Sequence, residues 1–239
     1  MDKLFVVMPA YNEEANIKLV IEQWHPIVER IGNGSLLIIV NDGSKDSTFL
    51  SMQELSNNYS CFKPLNKKNS GHGPTCIYAY KYALQKHADF IFQTDSDGQT
   101  NPEEFWQFWN ERNQYDFIIG TRKGRQDGFS RIFVTKILKI FLWIIFGVMV
   151  EDSNTPFRLM RANKLKGILN VVPEDFFLSN ILISTIIVKW KERVKWIPIT
   201  FKPRQGGVNS VNFKRILQIG IKAVKDFKKI KKEIAKNEK

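Results

Sequence analysis

Cysteine is scarce in this 239-residue chain, with only Cys61 and Cys76 present. Two thiols are too few for a disulfide framework or a thiolate zinc site, so a reducing cytoplasm is the expected compartment. Long apolar runs are missing as well. The longest, Ile140 to Val150 (IFLWIIFGVMV), is eleven residues counting Gly147, whereas crossing hydrocarbon takes roughly 18 or more. Extending it back to Ile132 brings in Thr135, Lys136 and Lys139, so no transmembrane helix is expected. The segment reads either as a helix lying at an interface or as a buried core helix. The opening MDKLFVVMPAYNEE has no basic n-region, apolar stretch and cleavage site, and secretion is not expected. Internal repeats and low-complexity linkers are also lacking. With 43% hydrophobic and 25% charged residues, the composition excludes a disordered or fibrous chain.

What is present in excess is positive charge, +12 overall. Lys214 to Lys239 hold ten Lys/Arg against three Asp/Glu, a balance of +7 that leaves +5 for the first 213 residues. The excess belongs mainly to the tail, which points to an anionic surface as partner rather than to a body built around nucleic acid.

The chain is about one and a half times the ~150-residue length prior for a domain, so one α/β domain with an appendage is expected. Short apolar runs alternate with helical patterns, the signature of repeated βα units and a mostly parallel sheet flanked by helices. Strands are expected at Leu4–Met8, Leu36–Val40, Cys61–Leu65, Phe90–Thr94, Phe117–Gly120 and, later, residues 196–201 (WIPITF). Ile17, Val20, Ile21, Trp24, Val28 and Ile31 follow helical spacing. Further helices are expected from near Asp46, from Pro74 to Lys86, from Pro102, and over Phe176–Lys189. Val211 to Lys239 reads as an amphipathic basic helix, with Phe213, Ile216, Leu217, Gly220, Val224, Phe227 and Ile234 along one face.

This order puts three polar turns at strand ends: PAYNEE (9–14), NDGSKDS (41–47) and TDSDGQ (94–99). In open α/β sheets that edge binds ligands. Asp95 and Asp97 are alternate residues after an apolar strand, so both carboxylates can face one point. Such a pair suits a hard divalent ion, Mg²⁺ or Mn²⁺, shared with substrate phosphates, and Gln99 could add an oxygen. A lone D-x-D is more often an ordinary acidic turn capping the next helix. Asp42 at the end of VND could accept a hydrogen bond from a nucleobase, although NDGS is also a plain turn signal. Tyr11 offers a face for stacking on a base or for simple packing. His72 lies in a glycine-bearing loop whose geometry explains it more readily than catalysis, and His25 and His87 read as surface helix residues.

Taken together, PAYNEE, VNDGSKDST, NSGHGPT (69–75) and TDSDGQTNP (94–102) resemble the family 2 glycosyltransferases with the GT-A (Rossmann-like) fold. The resemblance covers roughly residues 3–210. IIGTRKGR (118–125), the Asp152…Phe157-Arg158 stretch and VKWIPITFKPRQGG (194–207) look most like the polyprenyl-phosphate branch, typified by dolichyl-phosphate mannose synthase. It implies a glycosyltransferase domain over 1–210, its nucleotide-binding part about 1–125 and its acceptor part about 126–210, followed by the basic helix over 211–239.

The resemblance further implies that Pro9, Tyr11, Glu13 and Asp42 hold the nucleoside of a UDP- or GDP-sugar donor. Asp95, Asp97 and Gln99 would place the metal against the diphosphate. Arg122, Arg131 and Arg204 would face donor and acceptor phosphates, a task guanidinium forks suit because they bind phosphate bidentately. Asp152 would serve as base for an alcohol acceptor, with Glu151 adjacent. For an already ionised lipid phosphate no base is required, and Asp152 would position the acceptor or the arginines. The expected activity is inverting, metal-dependent transfer to a polyprenyl phosphate or to a lipid-linked or cell-surface glycan, in cell-envelope polysaccharide synthesis. It would take place at the inner face of the cytoplasmic membrane, with the C-terminal lysines on anionic lipid. This chain has Trp196-Ile197-Pro198 where many members carry an acidic residue before the proline. Two alternatives remain at this point, a non-catalytic sugar-nucleotide-binding partner subunit and a nucleic-acid-binding protein using the basic helix.

Overall fold

The structure, a computed structural model, describes residues 2–122, 139–202, 226–227, 230–234 and 236. A seven-stranded sheet has the order β3-β2-β1-β4-β6-β5-β7. Its strands are β1 (Leu4–Ala10), β2 (Leu36–Asp42), β3 (Phe62–Lys67), β4 (Phe90–Gln93), β5 (Phe117–Arg122), β6 (Arg158–Arg161) and β7 (Val194–Ile199). All pairings are parallel except those of β6, which runs antiparallel between β4 and β5. β1 is buried along its whole length, as the unbroken apolar run of a strand covered on both faces requires.

On one face, α1 (Ile17–Ile31), α2 (Thr48–Ser56) and α4 (Phe105–Glu111) cover an aromatic core. Trp24, Phe92 and Phe157 meet there with ring centroids 4.7 to 6.0 Å apart. The expected spacing in α1 is the buried stripe, Ile17, Val20, Ile21, Trp24 and Val28. On the other face lie α3 (His72–Gln85), α5 (139–146), α6 (Ala162–Leu169) and α7 (Ser179–Lys189). α7 is buried from Ser179 to Ile187, the pattern of a helix enclosed on all sides. Phe227, Ile230 and Ile234, on C-terminal helical residues, are buried against this layer.

Several expectations need correction. β6 and α6 were not expected, because RLMR is too short to show alternation and belongs to the sheet only through its two neighbours. β7 begins and ends two residues earlier than WIPITF suggests. α3 starts at His72 rather than Pro74, since proline is tolerated in a first turn where N–H groups lack helical partners. His25 is not a surface residue: it is buried, its ring 4.8 Å from that of Tyr59. The apolar 140–150 segment is helical only to 146, and Gly147 breaks it at φ +71. The core reading holds for one side of the segment only. Leu142, Ile145, Phe146 and Val150 are core, whereas Ile140, Trp143, Ile144 and Met149 are exposed. Among the described residues no helix is long and apolar enough to cross a membrane.

Candidate active site

The strand order reverses at β1, whose successors β2 and β3 lie to one side and β4 to the other. Such a switch point opens a crevice at the carboxyl ends of the strands. Four loops meet there, and hydrogen bonds join each to the next. After β1, the Asn12 N–H donates to Ser44 Oγ, and Lys45 N–H donates to Asn12 Oδ1, both at 2.9 Å. Glu13 is buried and accepts from Asn16 Nδ2 at 2.8 Å, while its N–H donates to Thr48 Oγ1. Tyr11 at the head of this turn is half-buried.

Asp42 ties the second loop to the third. Its Oδ1 accepts from Lys67 Nζ at 2.6 Å and from Ser70 N–H at 2.9 Å, and its Oδ2 accepts from Gly71 N–H at 2.8 Å. Its own backbone carbonyl accepts from Asn69 Nδ2 at 2.7 Å. The loops approach so closely that a Cβ on Gly43, at φ +64, would lie 2.8 Å from Asn69 N. Asp42 thus shapes the 69–71 turn. Lys67 is legible as its partner only from strand register, where Asp42 sits opposite Lys67.

The fourth loop carries the acidic pair. Ser96 Oγ donates to the Pro9 carbonyl at 2.7 Å, closing it onto the first loop across the switch point. Asp95 is 27% exposed and its Oδ1 lies 3.0 Å from His72 Nε2. Gln93 Nε2 also donates to that oxygen, at 3.3 Å. The His72 side chain is 43% exposed; partial desolvation of its ring works against a proton, but the Cys76 sulfur and the Asp95 carboxylate outweigh it and raise the imidazole well above an ordinary histidine. Asp97 Oδ1 accepts from Gln99 N–H at 3.1 Å. Gln99 exchanges two further bonds with Lys202, its Nε2 donating to Lys202 O and its carbonyl accepting from Lys202 N–H. The segment after β7 is thereby fastened to the acidic loop.

Beneath Asp95 runs a buried polar chain. Tyr80 OH donates to Gln93 Oε1 at 3.4 Å, and burial pushes its phenol up. Arg158 on β6 is fully buried, with its guanidinium on the carbonyls of Thr155 and Asn180, and burial lowers its proton affinity. His72 and Arg158 are the site residues that sequence reasoning undervalued. A histidine opening a helix beyond a strand edge was the available signal for the first, whereas Arg158 showed only as the end of the Asp152…Phe157-Arg158 stretch, with no sign that its guanidinium is buried.

At the β5 end, Arg122 holds Asp152 through two bonds, Nε to Oδ2 at 2.9 Å and Nη2 to Oδ1 at 2.8 Å. Glu151 beside it is exposed. The structure therefore brings Pro9, Tyr11, Glu13, Asp42, Asp95, Asp97 and Gln99 onto one edge and joins Arg122 to Asp152, while Arg131 and Arg204 lie outside the described residues. Among the described residues no group of three or more His, Cys, Asp and Glu forms a ready metal cage. Asp95 and Asp97, two half-buried carboxylates on one loop, fit a hard ion that completes its shell with phosphate and water.

Comparison with known proteins places the chain. The model of the family described as "Glycosyl transferase family 2" matches residues 5–178. The undecaprenyl-phosphate 4-deoxy-4-formamido-L-arabinose transferase of Photorhabdus laumondii is 26% identical over 221 residues, 91% of this chain and 65% of that protein. This chain thus spans less than two thirds of the length of that curated relative. Glucosyl-3-phosphoglycerate synthase from Mycobacterium tuberculosis, crystallised with Mn²⁺, UDP-glucose and phosphoglyceric acid, superposes with a TM-score of 0.68 at 16% identity, covering 95% of this chain and 79% of that one. TarS 1–349 of S. aureus gives 0.57 at 20% identity over 84% and 60% of the two chains. These structures share the GT-A fold with this one.

Proposed function

The chain belongs to glycosyl transferase family 2, and from that premise we propose that it transfers a sugar, with inversion, from a nucleoside-diphosphate sugar to a polyprenyl phosphate. The observation that carries the reading is the convergence of four loops on the β1/β4 switch point with Asp95 and Asp97 on the last of them. Pro9, Tyr11, Glu13 and Asp42 line the nucleoside side. Asp95 and Asp97, with Gln99, hold Mg²⁺ or Mn²⁺, and when bound the ion neutralises charge on the leaving diphosphate. The guanidinium groups of Arg122, Arg131 and Arg204 supply positive charge to the phosphates, an electrostatic contribution expected to be large in such a transfer. Residues 1–125 serve the donor, 126–210 the acceptor and 211–239 the membrane.

The Arg122–Asp152 pair favours the lipid phosphate over an alcohol acceptor. A carboxylate gripped by a guanidinium fork is a weakened base, whereas an ionised phosphate needs none and requires only orientation. The Photorhabdus relative, named for undecaprenyl phosphate, supports the same acceptor class. The mycobacterial synthase crystallised with Mn²⁺ and UDP-glucose supports a divalent ion and makes uridine the first base to try. The lysine-rich C-terminal segment supports a seat on the inner face of the cytoplasmic membrane, each lysine near an anionic surface contributing about 1 kcal/mol.

Thermal shift with UDP and GDP, with and without Mn²⁺, tests donor binding, since a ligand that binds the folded state raises its midpoint. Donor hydrolysis in the same mixtures tests the metal. Metal-dependent turnover abolished by Asp97→Ala is the expected result. Undiminished turnover in that variant removes the metal assignment, and donor binding without transfer to any acceptor points to a binding subunit.

A further inference from the structure

Helix α5 carries more apolar surface than the core receives. Its inner side is seated, with Leu142 and Phe146 buried and Phe141 and Phe146 against Phe227 at ring-centroid distances of 6.0 and 5.5 Å. Its outer side is not. Ile140, Trp143 and Ile144, at helical positions i, i+3 and i+4, are 57%, 57% and 66% exposed, and Met149 just beyond is 66% exposed. Of the seven exposed large hydrophobics among the described residues, four fall in this stretch of ten. Scattered apolar residues are ordinary on a surface, but a contiguous stripe marks a contact.

Charge identifies the contact. Phe227 pins the C-terminal helical residues to α5, and there Ile230 and Ile234 turn inward while Lys231, Lys232 and Lys236 are exposed together with Glu233, which pairs with Lys236 at 3.3 Å. They belong to the Lys214–Lys239 segment, whose ten basic and three acidic residues make it strongly positive. An aromatic and aliphatic stripe joined to a lysine-bearing helix matches a bilayer surface, whose acyl boundary takes Trp and Ile while its anionic headgroups take the ammonium groups. The stripe also lies close to the site. Met149 is three residues from Asp152, so their Cα atoms are at most about 11 Å apart.

We propose that the outward face of α5, made by Ile140, Trp143 and Ile144, with exposed Met149 beyond its end, seats in the surface of an anionic lipid bilayer and turns the Arg122–Asp152 side of the site toward the headgroups. It rests on the lipid-phosphate reading for its purpose, though not for its measurement. A bilayer at this face brings an acceptor phosphate to the end of β5 without any part of the sheet entering hydrocarbon.

The full chain is mixed with vesicles of phosphatidylcholine, with or without phosphatidylglycerol. Sedimentation with the anionic vesicles is expected, together with a blue shift of tryptophan emission and quenching by brominated acyl chains. Trp143→Phe is expected to lose most of that spectral change. Ile144→Glu, at an exposed position, is expected to lower partitioning about tenfold with an unchanged thermal midpoint and unchanged nucleotide binding; Ile140→Glu repeats the test independently. Wild-type partitioning by both glutamate variants overturns the proposal, as does a Trp143 signal indifferent to lipid. So does a glutamate variant that splits a dimer in light scattering and leaves vesicle binding intact, because the face then belongs to a second copy. Failure of the wild type to bind any nucleoside diphosphate sinks the transferase reading and leaves the vesicle result standing.

Discussion

Arg122 and Asp152, thirty residues apart in sequence, form one two-pronged ion pair at the rim of the sheet, with side chains only 7% and 13% exposed. Asp152→Ala strips a largely buried guanidinium of this carboxylate, which costs about 3 kcal/mol of stability. Transfer falls at least about tenfold with it, because the arginine loses its fixed direction. Pairing Asp152→Ala with Arg122→Ala loses less than the sum of the two single changes, the mark of residues acting as a unit. A pH–rate profile separates the roles. An acid limb retained in Asp152→Asn fits an orienting carboxylate, and its disappearance identifies a general base.

His72 orients Asp95 from the first turn of α3, 3.0 Å away. Partners behind a metal ligand commonly govern affinity by about 10- to 100-fold. His72→Ala is expected to weaken Mn²⁺ binding by about tenfold in calorimetry or spin resonance. His72→Gln, whose amide nitrogen can reach the same oxygen, recovers most of it. Equal Mn²⁺ affinity in all three proteins refutes the orienting role.

Gly73 tests the packing behind that turn. A Cβ there would stand 2.2 Å from the Phe177 carbonyl oxygen and 2.3 Å from that of Phe176, and backbone cannot swing aside as a side chain does. Gly73→Ala is expected to cost about 3 kcal/mol or more in a urea titration. Gly167 in α6 is exposed and has nothing within 4 Å of a built Cβ. There the same substitution is expected to stabilise by up to about 1 kcal/mol, through helix propensity alone.

Asp116 sets an acid limit on stability. Hydrogen bonds from Arg193 hold its carboxyl below the ordinary carboxylate value against the opposing effect of burial, with Lys164 and Arg161 assisting. The folded protein therefore prefers the charged form more than the unfolded chain does. Its contribution is complete above the ordinary value and fades as pH falls through the lowered one, below about pH 4. Urea midpoints followed down to that range should drop less steeply in Asp116→Asn than in the wild type, and identical slopes exclude Asp116 as the cause.

Sequence by itself determined most of the frame: the apolar runs of β1, β2, β4 and β5, the stripe of α1, and the placing of PAYNEE, NDGSKDS and TDSDGQ at strand ends. Those features are local, because burial imposes its period directly on neighbouring residues. Tertiary structure alone decided the rest. It slipped RLMR between β4 and β5, set Lys67 opposite Asp42, brought His72 onto Asp95 across 23 residues, and turned half of an apolar helix outward. Each depends on which strands pair and in what register, and that is settled by the joint packing of the whole sheet rather than by any segment alone.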